Sequence, residues 1–315
     1  MAKRKNKKKS VFSWLAVCVV LALSVAVYFF GGKVSFIPTW EEIFDKANLS
    51  SQTNVSSDGM TVTFLDVGQG DCTIISVNGE TAVIDGGEKE NAAKIVEFLK
   101  SNNVEKIDYV FATHPHSDHI GSLPSVINEM TAENVVMPKL PDSLVPTTKI
   151  YRDFIDAADK NAKTASYASV GDTYKLSDAQ IEVLGPVGTP KDLNNSSLVL
   201  KVTYGTTSFL ITGDCEESAE KKILSSRYAS KLDSDVLKVG HHGSSTSSSK
   251  AFINFVTPKY AVISCGADNS YGHPENETLK TFKEMNIDVF RTDLNGTVTC
   301  VSNGKTVEIS VEKGE

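Results

Sequence analysis

The stretch THPHSDHIGSL, residues 113–123, contains three of the six histidines of this 315-residue chain and one aspartate. His114 and His116 lie on either side of a proline, and a residue that precedes proline is restricted to extended backbone. Side chains two positions apart in an extended segment point the same way, so both imidazoles can converge on one ion. Asp118 and His119 follow where the chain turns into a helix, and they could serve a second ion. The spacing predicts a metal site rather than a polar loop.

Two later segments have the same form, a buried strand that ends in a ligand-type residue. SFLITGD ends in Asp214, and DVLKVGHHGS contains His241 and His242. Asp214 could instead only cap the helix that begins near Glu216. Taken with the first motif, three strand ends would deliver nitrogen and oxygen ligands to one rim, as a binuclear site requires. We assign six metal ligands: a first ion would have His114, His116 and Asp214, and a second ion would have Asp118, His119, Asp214 and His241.

Six motifs in order resemble the extracytoplasmic hydrolase domain of the competence-protein ComEC family, within the metallo-β-lactamase superfamily. They are FLDVGQGD (64–71), IDGG (84–87), THPHSDHIGSL (113–123), SLVLKVTYG (197–205), LKVGHHGS (237–244) and YGHP (271–274). The resemblance covers residues 60 to 312. It implies an α/β fold of the αββα four-layer sandwich type and cleavage of phosphodiesters that depends on divalent metal, with DNA as the substrate.

The chain departs from that family in two respects. ComEC proteins have a multi-helix membrane channel, whereas this chain has one apolar segment that could span a bilayer. Many superfamily members also place a further histidine before the bridging aspartate, but residues 120–240 contain none, and Asn194, Asn195 and Ser196 approach that position. An oxygen-rich first site favours a harder ion such as Mn²⁺, although Zn²⁺ binds nitrogen more tightly. Two divalent ions, Mn²⁺ or Zn²⁺, are therefore the expected cofactors.

The expected mechanism needs no serine or cysteine nucleophile. Two ions about 3.5 to 4 Å apart, bridged by Asp214, lower the pKa of a shared water, so the nucleophile would be a metal-bound hydroxide that Asp118 orients. His242 and His273 are the candidates for donating a proton to the leaving oxygen or a hydrogen bond to the phosphoryl group. The alternatives are that His242 packs beneath its loop and that His273 is a turn residue.

Three further residues are expected to support the site or bind substrate. Asp85 in IDGG would hold a ligand imidazole, or it could only form the turn before two glycines. Asn195 lies where the additional histidine is absent. Ser244, in GSSTSSSK (243–250), could present a hydroxyl and backbone N–H groups to phosphate at a helix start, or that segment could be a solvated loop.

Short β-like runs alternate with helical patterns along residues 59–315, as expected for two sheets flanked by helices. Strands are predicted at 61–68, 72–77, 81–87, 107–113, 180–185, 197–204, 207–212, 235–239, 260–264, 287–291, 297–302 and 306–311. Helices are predicted at 91–100, 119–130, 148–162 and 215–227. The Asn78–Gly79 pair predicts a hairpin between the second and third strands.

The N-terminus predicts a membrane anchor. Residues 1–10 are a basic, cytoplasmic tail, and the charge-free run 11–32 is long enough to cross a bilayer. Since positively charged flanks remain in the cytoplasm, the domain at 59–315 would lie outside the cell membrane, joined by a polar linker at 33–58. A cleaved signal peptide is the alternative.

Composition limits the partners. The whole chain has a formal charge of −7, and residues 1–33 contain seven cationic side chains and no acidic one, which leaves −14 for the remainder. Such a charge disfavours loose binding to polyanions, so a phosphodiester substrate needs metal or a local basic pocket. The five cysteines have no CxxC spacing, and we expect no disulfide framework.

We expect a membrane-anchored phosphodiesterase or DNase, with a separate DNA-uptake channel as a partner. The alternatives are hydrolysis of a lactone, thioester or β-lactam, and a binding domain with a degraded metal site.

Overall fold

The computed structural model describes residues 59–314. The predicted tail at 1–10, the anchor at 11–32 and the linker at 33–58 lie outside these residues. Within residues 59–314, no helix has both the length and the apolar character that a membrane crossing requires.

The first sheet has eight strands in the order β15-β14-β1-β2-β3-β4-β5-β6. Its strands are β1 (Met60–Phe64), β2 (Thr73–Val77), β3 (Glu80–Ile84), β4 (Lys106–Phe111), β5 (Thr131–Pro138), β6 (Ala162–Ala168), β14 (Val298–Ser302) and β15 (Val307–Val311). Asn78 and Gly79 both have positive φ, as a tight hairpin between β2 and β3 requires. From β3 to β6 the pairing is parallel, and helices connect the strands.

The second sheet has seven strands in the order β13-β12-β11-β10-β9-β8-β7. Its strands are β7 (Thr173–Leu176), β8 (Ala179–Gly185), β9 (Val199–Tyr204), β10 (Thr207–Ile211), β11 (Val236–Lys238), β12 (Tyr260–Ile263) and β13 (Asp288–Arg291). The strands β10 to β13 are parallel, so their C-terminal ends lie along one edge.

Eight α-helices occur within residues 59–314. They are α1 (Ala92–Ser101), α2 (Ser117–Ile120), α3 (Leu123–Glu129), α4 (Lys149–Asn161), α5 (Glu217–Leu224), α6 (Lys250–Val256), α7 (Asn276–Glu284) and α8 (Thr292–Asn295).

Three apolar clusters define the layers. One lies between the sheets and contains Phe64 and Phe111 of the first sheet with Phe209 of the second. The next packs α1, α3 and α4 against the outer face of the first sheet. The last packs α5, α6 and α7 against the outer face of the second sheet. The predicted α/β fold with two sheets is confirmed, with one helical layer on each side.

Several elements were not predicted. The strands β5 to β7 and the helices α6 and α7 are absent from the sequence interpretation, and the helix predicted at 119–130 is divided into α2 and α3. The strand β6 is exposed along most of its length and rich in alanine and small polar residues, so it lacks the apolar alternation that identifies a strand. The helix α7 buries only Thr278 and Phe282.

Candidate metal centre

The predicted ligands lie where strands of both sheets end. His114 and His116 follow β4 of the first sheet, whereas Asp214 and the pair His241–His242 follow the parallel neighbours β10 and β11 of the second. The backbone N–H of Leu198 donates to the Thr113 carbonyl at 3.0 Å and joins the two sheets at this rim.

One oxygen of Asp214 faces a first set of donors. Its Oδ2 atom lies 3.6 Å from His114 Nε2 and 3.8 Å from His241 Nε2. His114 Nε2 is in turn 3.0 Å from Nδ1 of His116, so two imidazole nitrogens approach the same point. We call His114, His116, His241 and Oδ2 of Asp214 the first donor group.

The other oxygen of Asp214 faces a second set. Its Oδ1 atom lies 3.2 Å from His119 Nε2 and 3.7 Å from His242 Nε2. Asp118 Oδ2 is 3.1 Å from the same nitrogen of His242. We call Asp118, His119, His242 and Oδ1 of Asp214 the second donor group. A carboxylate that presents one oxygen to each of two donor groups has the arrangement of a bridging ligand.

The structure corrects the interpretation of the two adjacent histidines. The sequence placed His241 with Asp118 and His119, and it left His242 as a candidate proton donor. In the structure His242 shares a compact donor set with Asp118 and His119, and His241 lies on the opposite side of Asp214. His241 therefore adds a third imidazole to the first donor group.

The donors fit a divalent cation. Two buried atoms at the centre, His119 Nε2 and Asp214 Oδ1, lie 3.2 Å apart without the geometry of a hydrogen bond, and neither has another hydrogen-bond partner. Unpartnered buried polar atoms are costly, so a ligand that both can bind stabilises this arrangement. Within residues 59–314, sets such as His114–His119–Asp214 place all their donor atoms within 4.8 Å of one another. Imidazole nitrogen mixed with carboxylate oxygen suits zinc, manganese and iron.

Asp85 contacts a candidate ligand in each donor group, one directly and one through Thr113. Its Oδ2 atom lies 2.8 Å from His119 Nδ1 and accepts a hydrogen bond from the Thr113 hydroxyl at 2.7 Å. That hydroxyl is 3.2 Å from His114 Nδ1. A hydrogen bond to the far nitrogen fixes the tautomer and orientation of a ligand imidazole.

A buried ion pair beneath His242 was missed. Lys238 is fully buried, and its Nζ atom lies 2.9 Å from Asp71 Oδ2. The other oxygen of Asp71 is 3.3 Å from His242 Nδ1, and that nitrogen is also 3.0 Å from the Ser264 carbonyl oxygen. The available signal was a lysine within an otherwise apolar strand, because lysine is almost never fully buried without a partner.

Asn195 does not face the donors as a histidine substitute. Its amide nitrogen donates to Asp192 at 2.9 Å and to Glu216 at 3.2 Å, and its oxygen accepts from the Ala219 N–H. Glu216 Oε1 in turn lies 3.3 Å from His241 Nδ1. Asn195 therefore acts through Glu216, a residue to which the sequence interpretation gave no role.

The serine segment after His242 is neither solvated throughout nor open to phosphate. Ser244 is buried, and its hydroxyl donates to Glu275 at 3.4 Å. Glu275 also accepts the Ser245 N–H, and Glu220 accepts the N–H groups of Ser248 and Ser249. Carboxylates already occupy the donors that the sequence assigned to phosphate.

His273 lies at the edge of the centre. Its ring centroid is 5.4 Å from that of His241 and 6.5 Å from that of His242, and its buried Nδ1 atom has no hydrogen-bond partner. Burial, followed by the neighbouring imidazoles, lowers its pKa. His273 is therefore placed to offer a neutral imidazole to a bound group.

The buried carboxylates and imidazoles of the centre shift one another's pKa values. Burial alone would raise the pKa of Asp214, but His119, His242 and His114 hold that pKa well below its usual value. Burial likewise disfavours the charged form of His119, yet the carboxylates of Asp214 and Asp85 raise its pKa well above its usual value. A metal-free centre therefore retains protons that a cation would displace.

Backbone geometry brings these segments together. Gly70 has a φ of +137°, and a Cβ atom there would lie 2.5 Å from the Asp118 carbonyl oxygen. Only glycine lets the loop before Asp71 lie against the second donor group. His241 and His242 both have left-handed backbone, with φ of 50° and 53°. Consecutive left-handed residues other than glycine are strained, and such strain is typical of functional sites.

The four cysteines within residues 59–314, at 72, 215, 265 and 300, are buried and free. Burial raises the pKa of Cys300 to about 12, so this thiol is not a nucleophile at neutral pH.

Known protein structures share the fold. The chain is similar to the metallo-beta-lactamase fold protein YhfI from Bacillus subtilis, with a TM-score of 0.51 at 12% identity over 80% of this chain and all of that one. It is also similar to CmlA, a diiron beta-hydroxylase from Streptomyces venezuelae, with a TM-score of 0.52 at 14% identity over 78% of this chain and 55% of that one.

The curated relatives include a protein of the ComE operon and a competence protein. The chain is 32% identical to ComE operon protein 3 of Bacillus subtilis over 78% of its own length and 33% of that protein. It is 29% identical to competence protein ComA of Neisseria gonorrhoeae, over 90% of this chain and 37% of that one. The chain thus spans about a third of the length of these relatives.

The family model described as the metallo-beta-lactamase superfamily matches residues 65–267, a segment that contains both donor groups in full. The match agrees with the two-sheet architecture and with the resemblance to ComEC-family competence proteins. The chain therefore belongs to the metallo-beta-lactamase superfamily.

Proposed function

We propose that this protein hydrolyses phosphodiesters, with DNA as the substrate, by means of two divalent cations, Mn²⁺ or Zn²⁺. The observation that carries the proposal is the position of Asp214, whose two oxygens face two separate donor groups. The competence proteins among the relatives support DNA as the substrate.

The donor groups would hold one cation each. Bound cations at such a site lower the pKa of water and neutralise charge on a phosphoryl group. Asp118 belongs to the second donor group and is less deeply buried than Asp214, so its carboxylate is placed to orient an attacking water. His273 would donate an N–H hydrogen bond from a neutral ring to a phosphoryl oxygen. Asp85 and Asp71 keep the imidazoles of His119 and His242 in place.

We also propose that residues 11–32 anchor the chain and that the domain lies outside the cell membrane. The basic tail and the length of the apolar run support this orientation. A separate DNA-uptake channel protein is the proposed partner, and the competence protein among the relatives supports this proposal. Protease added to intact cells should remove the domain, and survival of the domain until the cells are lysed would contradict the orientation.

The deciding assay uses the full-length chain in detergent with Mn²⁺ or Zn²⁺. Its substrates are DNA, a small phosphodiester, a lactone, a thioester and a β-lactam. We expect diester cleavage by the parent chain, loss of cleavage in His116→Ala and Asp214→Asn, and unchanged cleavage in Asp156→Asn. Asp156 is a matched control because it is an exposed aspartate paired with Lys160 on α4. Turnover of a carbonyl substrate without diester cleavage, or equal activity in all variants, would reject the proposal.

A further inference from the structure

An exposed aromatic ring lies beside the metal centre. Tyr271 is 68% exposed, the largest exposure among the large hydrophobic residues of 59–314 that remain accessible. One face of its ring stacks on His273, with centroids 5.8 Å apart and planes inclined by 22°. Burying an aromatic ring is favourable, so an exposed ring at the edge of a site is an available binding surface.

Only one imidazole separates this ring from the donor groups. The ring of His273 lies 5.4 Å from that of His241, which belongs to the first donor group. The nearest substituent of a group that is held between the two donor groups can therefore reach the ring of Tyr271. For a phosphodiester in a nucleic acid, that substituent is a nucleoside.

The segment that presents Tyr271 is held in place by hydrogen bonds. Asn269 accepts the His273 N–H at 3.1 Å and donates from its amide nitrogen to the Gly266 carbonyl at 2.9 Å. The Gly266 N–H donates to the side chain of Gln69, in the loop before Asp71, at 3.1 Å. A preorganised ring loses little conformational entropy when a ligand stacks on it.

The negative charge of the chain makes base stacking a favourable way to bind a nucleic acid. The chain after residue 33 has a formal charge of −14, so long-range electrostatics oppose the approach of a polyanion. Stacking on an aromatic ring does not depend on net charge, and every base has a face that can stack. The faces of bases in a duplex are covered by their neighbours, so a base reaches such a ring only when it leaves the stack.

We propose that Tyr271 stacks the base next to the scissile phosphate and thereby selects single-stranded nucleic acid. This inference rests on the proposed phosphodiesterase function and adds the strand class and the residue that reads it. Tyr271 is assigned as a binding residue, because the proposed contact is made by the face of its ring.

The test is a double-mutant cycle that combines removal of the Tyr271 ring with removal of the base. Cleavage is measured for the full-length chain with Mn²⁺ on a single-stranded oligodeoxynucleotide and on the same strand with abasic positions. We expect Tyr271→Ala to raise KM for the base-bearing strand by about tenfold to a hundredfold, as typical base stacking predicts. The kcat should change little, and KM for the abasic strand should be nearly that of the parent. Tyr271→Phe should retain the parent KM, and so should Tyr167→Ala, an exposed tyrosine on β6.

A binding readout separates this inference from the proposed function. An oligodeoxynucleotide with 2-aminopurine should change its fluorescence when titrated with the parent chain or Tyr271→Phe, but not with Tyr271→Ala. If the parent cleaves neither oligonucleotide, the proposed function fails, and the fluorescence titration still decides the stacking. Equal KM values for parent and Tyr271→Ala, equal losses on both strands, or a fluorescence change that survives in Tyr271→Ala would overturn the inference.

Discussion

Lys238 Nζ lies 2.9 Å from Asp71 Oδ2, and both side chains are buried beneath His242. Burial would raise the pKa of Asp71, but Lys238 and His242 lower it to about 2, so the carboxylate is charged at neutral pH. The pair thus places a fixed charge against the far nitrogen of a ligand imidazole.

Lys238→Met should be strongly destabilising because it leaves the Asp71 carboxylate buried without its partner. Breaking a buried ion pair in this way typically costs about 3 to 5 kcal/mol of unfolding free energy. The double variant Lys238→Met with Asp71→Asn should recover part of the loss. Urea unfolding in EDTA measures both, with Lys149→Met as the control in an exposed pair with Asp153. Additive losses in the double variant would mean that the two residues are not coupled.

Asp214→Asn should weaken both cation sites, since its two oxygens face different donor groups. Asp118→Asn should weaken only the second cation site. Among the histidines of the two donor groups, Asp118 contacts only His242, which belongs to the second group. Elemental analysis after metal-replete purification should therefore find about one cation per chain in Asp118→Asn and fewer in Asp214→Asn. Equal metal content in the two variants would contradict the bridging position.

Paired substitutions test which histidines act together. His116→Ala with His241→Ala removes two members of the first donor group, so one cation should remain per chain. His116→Ala with His242→Ala damages both groups, and no cation should remain bound tightly. Electron paramagnetic resonance of Mn²⁺-loaded protein distinguishes paired from single ions. The opposite result would be loss of both ions from His116→Ala with His241→Ala and retention of one ion by His116→Ala with His242→Ala. That result would place His241 in the second donor group, as the sequence analysis did.

Asp85→Asn should weaken metal binding at both groups, because Asp85 contacts His119 directly and His114 through the Thr113 hydroxyl. Loss of such a supporting partner typically lowers metal affinity by about 10- to 100-fold. Thr113→Val should weaken the first group alone. Competition with a fluorescent chelator measures the two affinities, and unchanged affinities in Asp85→Asn would show that it only forms the turn before Gly86.

Glu220 should make stability depend on pH. Burial raises its pKa from 4.5 to about 7, although hydrogen bonds from Ser249 and Ser248 oppose the shift. Between these values the folded chain holds a proton that the unfolded chain has lost, so its contribution to stability falls as pH rises. Over the full range from pH 4.5 to pH 7, the loss of unfolding free energy amounts to about 3 kcal/mol.

Glu220→Gln imitates the protonated form and isolates this contribution. The unfolding free energy of the parent minus that of Glu220→Gln should decrease between pH 4.5 and pH 7 and then level off. Urea unfolding in EDTA gives both values across this range. A constant difference would mean that the carboxylate is ionised throughout.

The sequence predicted that these candidate ligands lie close together, because histidine and aspartate at strand ends are a local signal. It could not divide that set correctly, since the division of His241 from His242 depends on backbone dihedral angles and on the approach of Asp214 from the neighbouring strand. Asp71 and Lys238 were missed for a related reason: their partner atoms come from different sheets. The strand β6 was missed because its exposed face carries little apolar periodicity.

The left-handed backbone at His241 and His242 carries a conformational cost. An L-residue in this conformation costs about 1 to 2 kcal/mol relative to the right-handed form, whereas glycine adopts it freely. Glycine at position 241 would relieve this strain but would lose the contacts of the imidazole with Asp214 and Glu216. Histidine at this position therefore keeps an imidazole facing Asp214 at a conformational cost that glycine would avoid.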